Sequence, residues 1–217
     1  MKKAQLKTAL FTGVVAAAAL SMSSLAYANP IIENGSFENP GVNGYQFLTP
    51  AQLIGWDATG DVELWNRDSG AQPAGPAPAD DGSQYLELNS RNGGPYSIFQ
   101  SFGSVIGTIY EVSFAHSARA NTNPAEEFSF YLGDDVGNGN TFNIVNGPKG
   151  IWSVATYNFM ATSETSKIAF AAIVPSTGTV GNFLDNVIVT DVPEPGTLAL
   201  LGLGLAGLGA ARRRQKA

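Results

Sequence analysis

Seven short runs set the fold of the middle of this chain. They are Tyr85–Leu88, Ser97–Phe102, Ile109–Phe114, Phe128–Leu132, Val154–Phe159, Lys167–Ile173 and Phe183–Val189, each rich in aromatic and β-branched residues. Clusters of Gly, Asn, Pro and Asp separate them, which is the punctuation of strands and turns. Tyr110-Glu111-Val112-Ser113-Phe114 alternates apolar and polar with the period of two expected of a strand with one buried face. No segment between residues 29 and 191 sustains a helical period. The pattern predicts an all-β, antiparallel β-sandwich, and at 163 residues a jelly roll. Gly70–Asp81, with prolines at 73, 76 and 78, reads as a loop inside one sandwich, because strands on both sides of it are needed to complete the two sheets.

Both termini differ from this body. Residues 1–28 open on Met1-Lys2-Lys3 with Lys7, continue through the apolar run Ala9–Leu20, and reach the small-residue site Ala26-Tyr27-Ala28. That order predicts a secretory signal helix cleaved after Ala28, with a mature chain from Asn29. At the other end Thr197–Ala211 holds fifteen residues without a charge, about 23 Å as a helix at about 1.5 Å per residue. The run is short against a hydrocarbon core of about 30 Å, although neighbouring residues can extend it. Arg212, Arg213 and Arg214 with Lys216 would hold its end at the cytoplasmic face. The expectation is a single transmembrane helix over 197–211, with residues 29–191 outside.

With both ends set aside, five of the twelve basic residues and seventeen of the eighteen acidic ones remain in 29–191, a net charge of −12. Nucleic acid is a poor partner for such a body, since its binders cluster Lys and Arg. Calcium or a neutral glycan suits it better. There is no cysteine, so an exported domain must rest on its own core, with a metal as the other available staple.

The tail Val192-Pro193-Glu194-Pro195-Gly196, then an apolar run, then arginines, resembles the PEP-CTERM sorting signal over residues 192–217. The resemblance implies processing by an exosortase, a transient stay in the inner membrane, and a product in the envelope, at the cell surface or secreted. Pro193 and Pro195 suit a recognition strand, since each lacks an amide donor and holds its neighbour extended.

A second resemblance, spread over residues 32–189, is to galactose-binding-like jelly rolls, the group of many carbohydrate-binding modules and of a plant cell-wall protein family. It is carried by Asn34-Gly35-Ser36-Phe37-Glu38, Gly55-Trp56, Asp81-Gly82-Ser83-Gln84-Tyr85-Leu86-Glu87-Leu88, Ile98-Phe99-Gln100, Gly107–Phe114 and Phe183-Leu184-Asp185-Asn186-Val187. In such modules a structural calcium lies where the first and last strands meet. This implies Glu38 and Asp185 as ligands, with Ser36 and Gln84 offering carbonyls and Asp81 a further carboxylate, for which Asp80 is a rival. The alternative is that Glu38 caps the Asn34-Gly35 turn and Asp185 binds backbone amides.

Sugar binding calls for flat apolar rings beside planar polar groups. Trp56, Trp65, Tyr96 and Trp152 are the candidate rings, and Asn89, Arg91 and Arg119 their polar partners. Trp65 and Tyr96, flanked by Asn66-Arg67 and Gly93-Gly94-Pro95, are expected to be the more exposed pair, and Trp56 and Trp152 fit core or rim packing equally well.

Catalysis is not expected. Asp80-Asp81, Glu126-Glu127 and Asp134-Asp135 are adjacent pairs, and neighbours on a strand point to opposite faces. His116 is the sole histidine and ends a strand, with no G-x-S-x-G elbow to accompany it. The run Gly133–Asn140 is Asp- and Gly-rich but departs from EF-hand spacing. Two readings remain: an exported module that binds extracellular polysaccharide, and a structural matrix protein of biofilm or envelope without a small ligand.

Overall fold

All seven runs become strands, and four more join them. The computed structural model describes residues 31–69, 75–89, 96–120, 126–176 and 178–193, with isolated positions 202, 204, 205 and 212. In chain order the strands are β1 (Tyr45–Leu48), β2 (Asp57–Ala58), β3 (Val62–Asn66), β4 (Gln84–Glu87), β5 (Ser97–Gly103), β6 (Ile109–Ser117), β7 (Glu127–Asp134), β8 (Gly139–Val145), β9 (Ser153–Met160), β10 (Thr165–Val174) and β11 (Phe183–Asp191). Among the described residues one 3-10 turn, Pro50–Gln52, lies between β1 and β2. Sheet A has the order β1-β3-β4-β11-β6-β9 and sheet B the order β2-β5-β10-β7-β8. Every strand pairing is antiparallel. The two sheets form the expected jelly-roll sandwich.

The expected leader, with Ala26 and Ala28, lies outside the described residues, as do Glu194, Pro195, Arg213 and Arg214 and most of 197–211. Among the described residues no helix is long and apolar enough to cross a membrane.

Alternation decides which side chains enter the core. Along β10, Ile168, Phe170 and Ala172 are buried while Lys167, Ala169 and Ala171 are half-buried on the other face. Phe170 stands at the centre of the space between the sheets, with ring centroids 4.9 Å from Phe114, 5.1 Å from Phe130, 6.1 Å from Trp56 and 6.3 Å from Phe128. Edge and offset contacts of this kind add to the gain from burying ring area.

The start of the described chain closes the sandwich beside its last strand. The Ile31 amide donates to the Val189 carbonyl at 3.3 Å and the Val187 amide to the Gly35 carbonyl at 2.9 Å. Backbone approaches so closely that a Cβ on Gly35 would run into the Val187 carbonyl, so only glycine fits there. A break in the β11–β6 register between Asp185 and Ile188, with Asn186 at φ 48°, turns the last strand away from β4 and towards this segment.

The outer faces of the two sheets differ. On sheet A, Trp65, Tyr85 and Phe183 pack with Ala79 and Trp152 into a second, smaller cluster under residues 75–83. The Tyr85 hydroxyl donates to the Pro76 carbonyl at 3.3 Å and the Trp152 indole N–H to the Pro78 carbonyl at 3.0 Å. Sheet B carries no such cover among the described residues.

Phe170→Ala leaves a cavity between four aromatic rings and is expected to cost about 3–5 kcal/mol. Urea unfolding should show a lowered midpoint at an unchanged slope.

Candidate functional site

Two carboxylates grip one loop from opposite sides. Glu38 Oε1 accepts the amides of Ser83 at 2.8 Å and Gln84 at 2.7 Å, and its Oε2 accepts the Ser83 hydroxyl at 3.0 Å. Asp185 Oδ2 accepts the amides of Asp80 at 2.8 Å and Asp81 at 3.0 Å, while Oδ1 accepts that of Asn186 at 2.7 Å. The Asn186 side chain reaches back to Asp80 Oδ2 at 2.9 Å. Gln84 spends its side chain on the Val42 amide and on the carbonyls of Phe37 and Pro40. Beside this junction an open cavity of about 380 Å³ is lined by Asn34, Ser36, Asp81 and Asn186, with Ile32 and Ile188 as its apolar wall.

Such an arrangement brings the expected calcium ligands to one junction but fills Glu38 and Asp185 with N–H and O–H donors. Among the described residues no three His, Asp or Glu side chains gather to hold a metal ion. A calcium here would rely on backbone carbonyls and exchange some of these donors for itself. Asp185 is fully buried, and desolvation pushes its carboxyl up to about 7 against the three amides that favour its charged form.

The expected sugar platform is not open. Trp65 is buried, against the expectation of exposure, because residue 65 lies on β3 under the 75–83 segment rather than in a loop. Its ring stacks on Tyr85 at 6.3 Å, and the Arg119 guanidinium covers it at 5.0 Å. Tyr96 is likewise buried rather than exposed, with its ring over Gly60. Trp56 belongs to the main core, its indole N–H donating to the Asn34 carbonyl at 3.1 Å. Asn89 is buried and donates to the carbonyls of Pro175 and Val180. Trp152 is half-buried at the rim, and Arg91 lies outside the described residues.

Arg119 is held by Glu87, both of whose oxygens lie 2.9 Å from Nη1. Glu63 faces Glu87 directly across the β3–β4 pair. Burial pushes the Glu87 carboxyl well above the usual range; Arg119 counters this and Glu63 adds to it. His116 is buried against Phe114 and Phe128 with Nδ1 on the Asn146 side-chain oxygen, and burial lowers its pKa.

An open aromatic face lies on the outside of sheet B instead. Registers place Asp57, Phe99, Ala169, Tyr131 and Thr141 in one row across five strands. Their chain neighbours Ile98, Ile168, Phe170, Phe130 and Leu132 face the core, so this row faces out. Phe99 and Tyr131 sit two strands apart, about 10 Å at the usual strand spacing, with only Ala169 between them. Lys167 Nζ stands over both rings, 5.7 Å from the Phe99 centroid and 5.9 Å from that of Tyr131. Asp135 lies 4.0 Å from Lys167 and accepts the Ser101 hydroxyl at 2.8 Å.

Glycine lets the Tyr131 ring lie down. Gly133 and Gly139 face each other across β7–β8, and a Cβ on either would come within 2.7 or 2.8 Å of the Tyr131 hydroxyl. That hydroxyl donates to the Asp134 carbonyl at 2.8 Å, which fixes the ring along the strand. Two flat rings, a cation and hydroxyl-sized partners on a level surface can stack and orient sugar rings. Sequence reasoning passed over Phe99, Tyr131 and Lys167. Their one signal was the phase of β10, where Lys167 shares a face with Ala169 and Ala171.

Comparisons with known proteins bear on the family and the fold. The family described as "Protein of unknown function (DUF642)" matches residues 30–190, and the PEP-CTERM protein-sorting motif matches residues 191–214. Halomucin of Haloquadratum walsbyi (strain DSM 16790 / HBSQ001) is 27% identical over 174 residues, which is 76% of this chain and 2% of that protein. A structure of TmCBM61 in complex with β-1,4-galactotriose is similar in fold, with a TM-score of 0.54, 16% identity, and coverage of 76% of this chain and all of the other. An arabinose-bound MgGH51 α-L-arabinofuranosidase is similar at a TM-score of 0.50 and 14% identity, over 76% of this chain and 26% of the other.

The raised Asp185 gives a pH signature. An acid whose folded pKa of about 7 exceeds its unfolded value near 3.8 binds more protons when folded, so stability falls as pH rises from about 4 to 7. In chelator, thermal melting should show this decline, and Asp185→Asn should reduce it, leaving the decline of the same sign that the raised Glu87 carboxyl contributes.

Proposed function

We propose that this chain, which belongs to the DUF642 family and carries the PEP-CTERM protein-sorting motif, is exported to the cell envelope and there binds an extracellular polysaccharide across the open face of sheet B. The observation that carries the reading is the pair Phe99 and Tyr131, in one outward row of the five-stranded sheet with Lys167 over both. Two rings about 10 Å apart suit two sugars of one extended chain better than a lone monosaccharide. The charge of −12 over residues 29–191 favours a neutral glycan over an anionic one. Similarity in fold to a galactotriose-bound module supports the ligand class. Exosortase is the processing partner, and the reading includes no catalytic step.

A glycan array followed by affinity electrophoresis tests it. Phe99→Ala and Tyr131→Ala should each weaken retardation about tenfold, about 1.4 kcal/mol, and the double variant should abolish it. Tyr45→Ala, an exposed ring on sheet A, should leave it unchanged. An array without any specific sugar signal would favour a matrix protein that displays the sandwich without a small ligand.

We also propose that calcium stabilises the junction of the first and last strands. Support comes from the oxygens near this junction: Glu38 and Asp185 bind one loop from two sides, Asp81 lines the adjoining cavity, and a calcium would have to draw these carboxylates together with carbonyls such as those of Ser36 and Gln84. Exhaustive chelation should lower the melting temperature, and calcium but not magnesium should restore it. An unchanged melting curve overturns this assignment and leaves the two carboxylates as anchors of the loop.

A further inference from the structure

Exposed apolar side chains gather at the end of the sandwich where the chain leaves it. Ile109 has Met160 of β9 directly opposite on one side, and on the other Val192, whose amide donates to the Ile109 carbonyl at 2.8 Å. Partners directly across strands share a face, so the three form one row on the last rung of sheet A. The turn into β6 adds Val105 and Ile106, and the β7–β8 turn adds Val136 at the same end, next to the Asp134–Ser166 and Thr165–Gly103 pairs. All six are between 39% and 86% exposed.

Both turns are braced with their apolar tips held out. The Thr108 amide donates to the Val105 carbonyl at 3.0 Å, the Gly107 amide to the Ala161 carbonyl at 2.8 Å, and the Ala161 amide to the Thr108 carbonyl at 3.0 Å. Asp134 Oδ1 accepts the amides of Val136 at 3.1 Å and Asn138 at 2.7 Å. Solvated backbone and buried neighbours would let such tips carry polar residues at no loss. Their apolar character therefore points to a partner.

The sequence next to this end names the partner's chemistry. Five residues after Val192 the uncharged run Thr197–Ala211 begins, and five Cα steps reach at most about 17 Å. Wherever that run inserts, the Met160–Ile109–Val192 end must stay close to it. We propose that this end of the sandwich docks on the lipid surface into which residues 197–211 insert, with Val105, Ile106 and Val136 dipping into the headgroup boundary. This rests on the exported reading above and on the membrane helix expected over 197–211 before exosortase processes the tail.

Charge settles the kind of surface. Glu111, Glu164 and Asp191 flank the patch, and Lys167 is engaged over Phe99 and Tyr131. Contact therefore comes from apolar insertion into zwitterionic lipid and not from attraction to anionic headgroups. Docked this way, the sandwich stands upright, Pro193 is held at the membrane surface, and the sheet B face stays open to the outside.

The absence of cysteine allows a direct test with single-cysteine labels on the full chain. Ile106→Cys reports the docked end, and Ile151→Cys, also exposed, reports the far end of β9. Each carries a polarity-sensitive fluorophore, in phosphatidylcholine vesicles containing acyl-chain-brominated lipid. The label at 106 should shift to the blue and be quenched at least about twofold, the label at 151 should do neither, and adding Val105→Asp should abolish quenching at 106. Vesicle flotation reads the tether separately. A chain that does not float overturns the tether and the docked end together, and a floating chain with an unquenched label at 106 overturns the docked end alone. Shielding of 106 before vesicles are added would put the chain's own tail or a second copy on the patch, and would overturn the lipid assignment.

Discussion

The aromatic layer between the sheets carries the rest of the molecule. With no cysteine to staple it, the sandwich is held by burial, and Phe170, Phe114, Phe130 and Phe128 form the centre of what is buried. Each of these rings fixes the phase of its strand: once Phe170 points inward, Lys167, Ala169 and Ala171 must point outward. The same holds for Phe130, whose burial turns Tyr131 to the solvent side of β7. The open face of sheet B is thus the obligatory reverse of the core, and its two rings stay in register because a one-residue slip of β7 would turn Phe128 and Phe130 outward, and one of β5 would turn Ile98 and Phe102 outward.

Covering one sheet and leaving the other open follows from a few anchors. Residues 75–83 lie over Trp65 and Tyr85 because Asp185 holds the amides of Asp80 and Asp81, Glu38 holds those of Ser83 and Gln84, and Trp152 holds Pro78. Carboxylates that accept several backbone N–H groups are strong anchors, since each bond is charge-assisted. Sheet B has small residues where sheet A has its cover. Gly133, Gly139, Ala169 and Ala171 raise no large side chain around Phe99 and Tyr131.

Strands were legible in the sequence wherever apolar alternation was strong, as in β6 and β10, because burial of one face writes a period of two into the chain. Four strands were not. β1 and β2 are short edge or near-edge pieces, β8 reads Gly-Asn-Thr-Phe-Asn-Ile-Val with mostly exposed positions, and β3 precedes a turn-rich stretch that drew attention to loops. Trp65 misled for that reason: polar neighbours in sequence said exposed, while the covering segment arrives from residues 75–83. The aromatic face was hidden for a different reason. In Ser97-Ile98-Phe99-Gln100-Ser101-Phe102 the inward positions are 98, 100 and 102, and a buried Gln100 blurs the phase that would have marked Phe99 as outward. Its pairing with Tyr131 across β10 depends on register, which no single strand records.

Gln100 also shows why a polar residue is tolerated there. Its side-chain oxygen accepts the Glu33 amide at 2.7 Å and its amide donates to the Glu33 carbonyl at 3.0 Å, so a buried polar group closes the edge of the segment that leads into Asn34 and Gly35. One residue along the strand, the opposite face carries Phe99. The bond that ties the first described segment to sheet B therefore sits back to back with the proposed sugar platform. β5 is held on both sides of this point, by the Gln100 bonds to Glu33 and by the pairing of Ser97–Gly103 with β10, and the two together keep Phe99 opposite Ala169 and in the row that holds Tyr131.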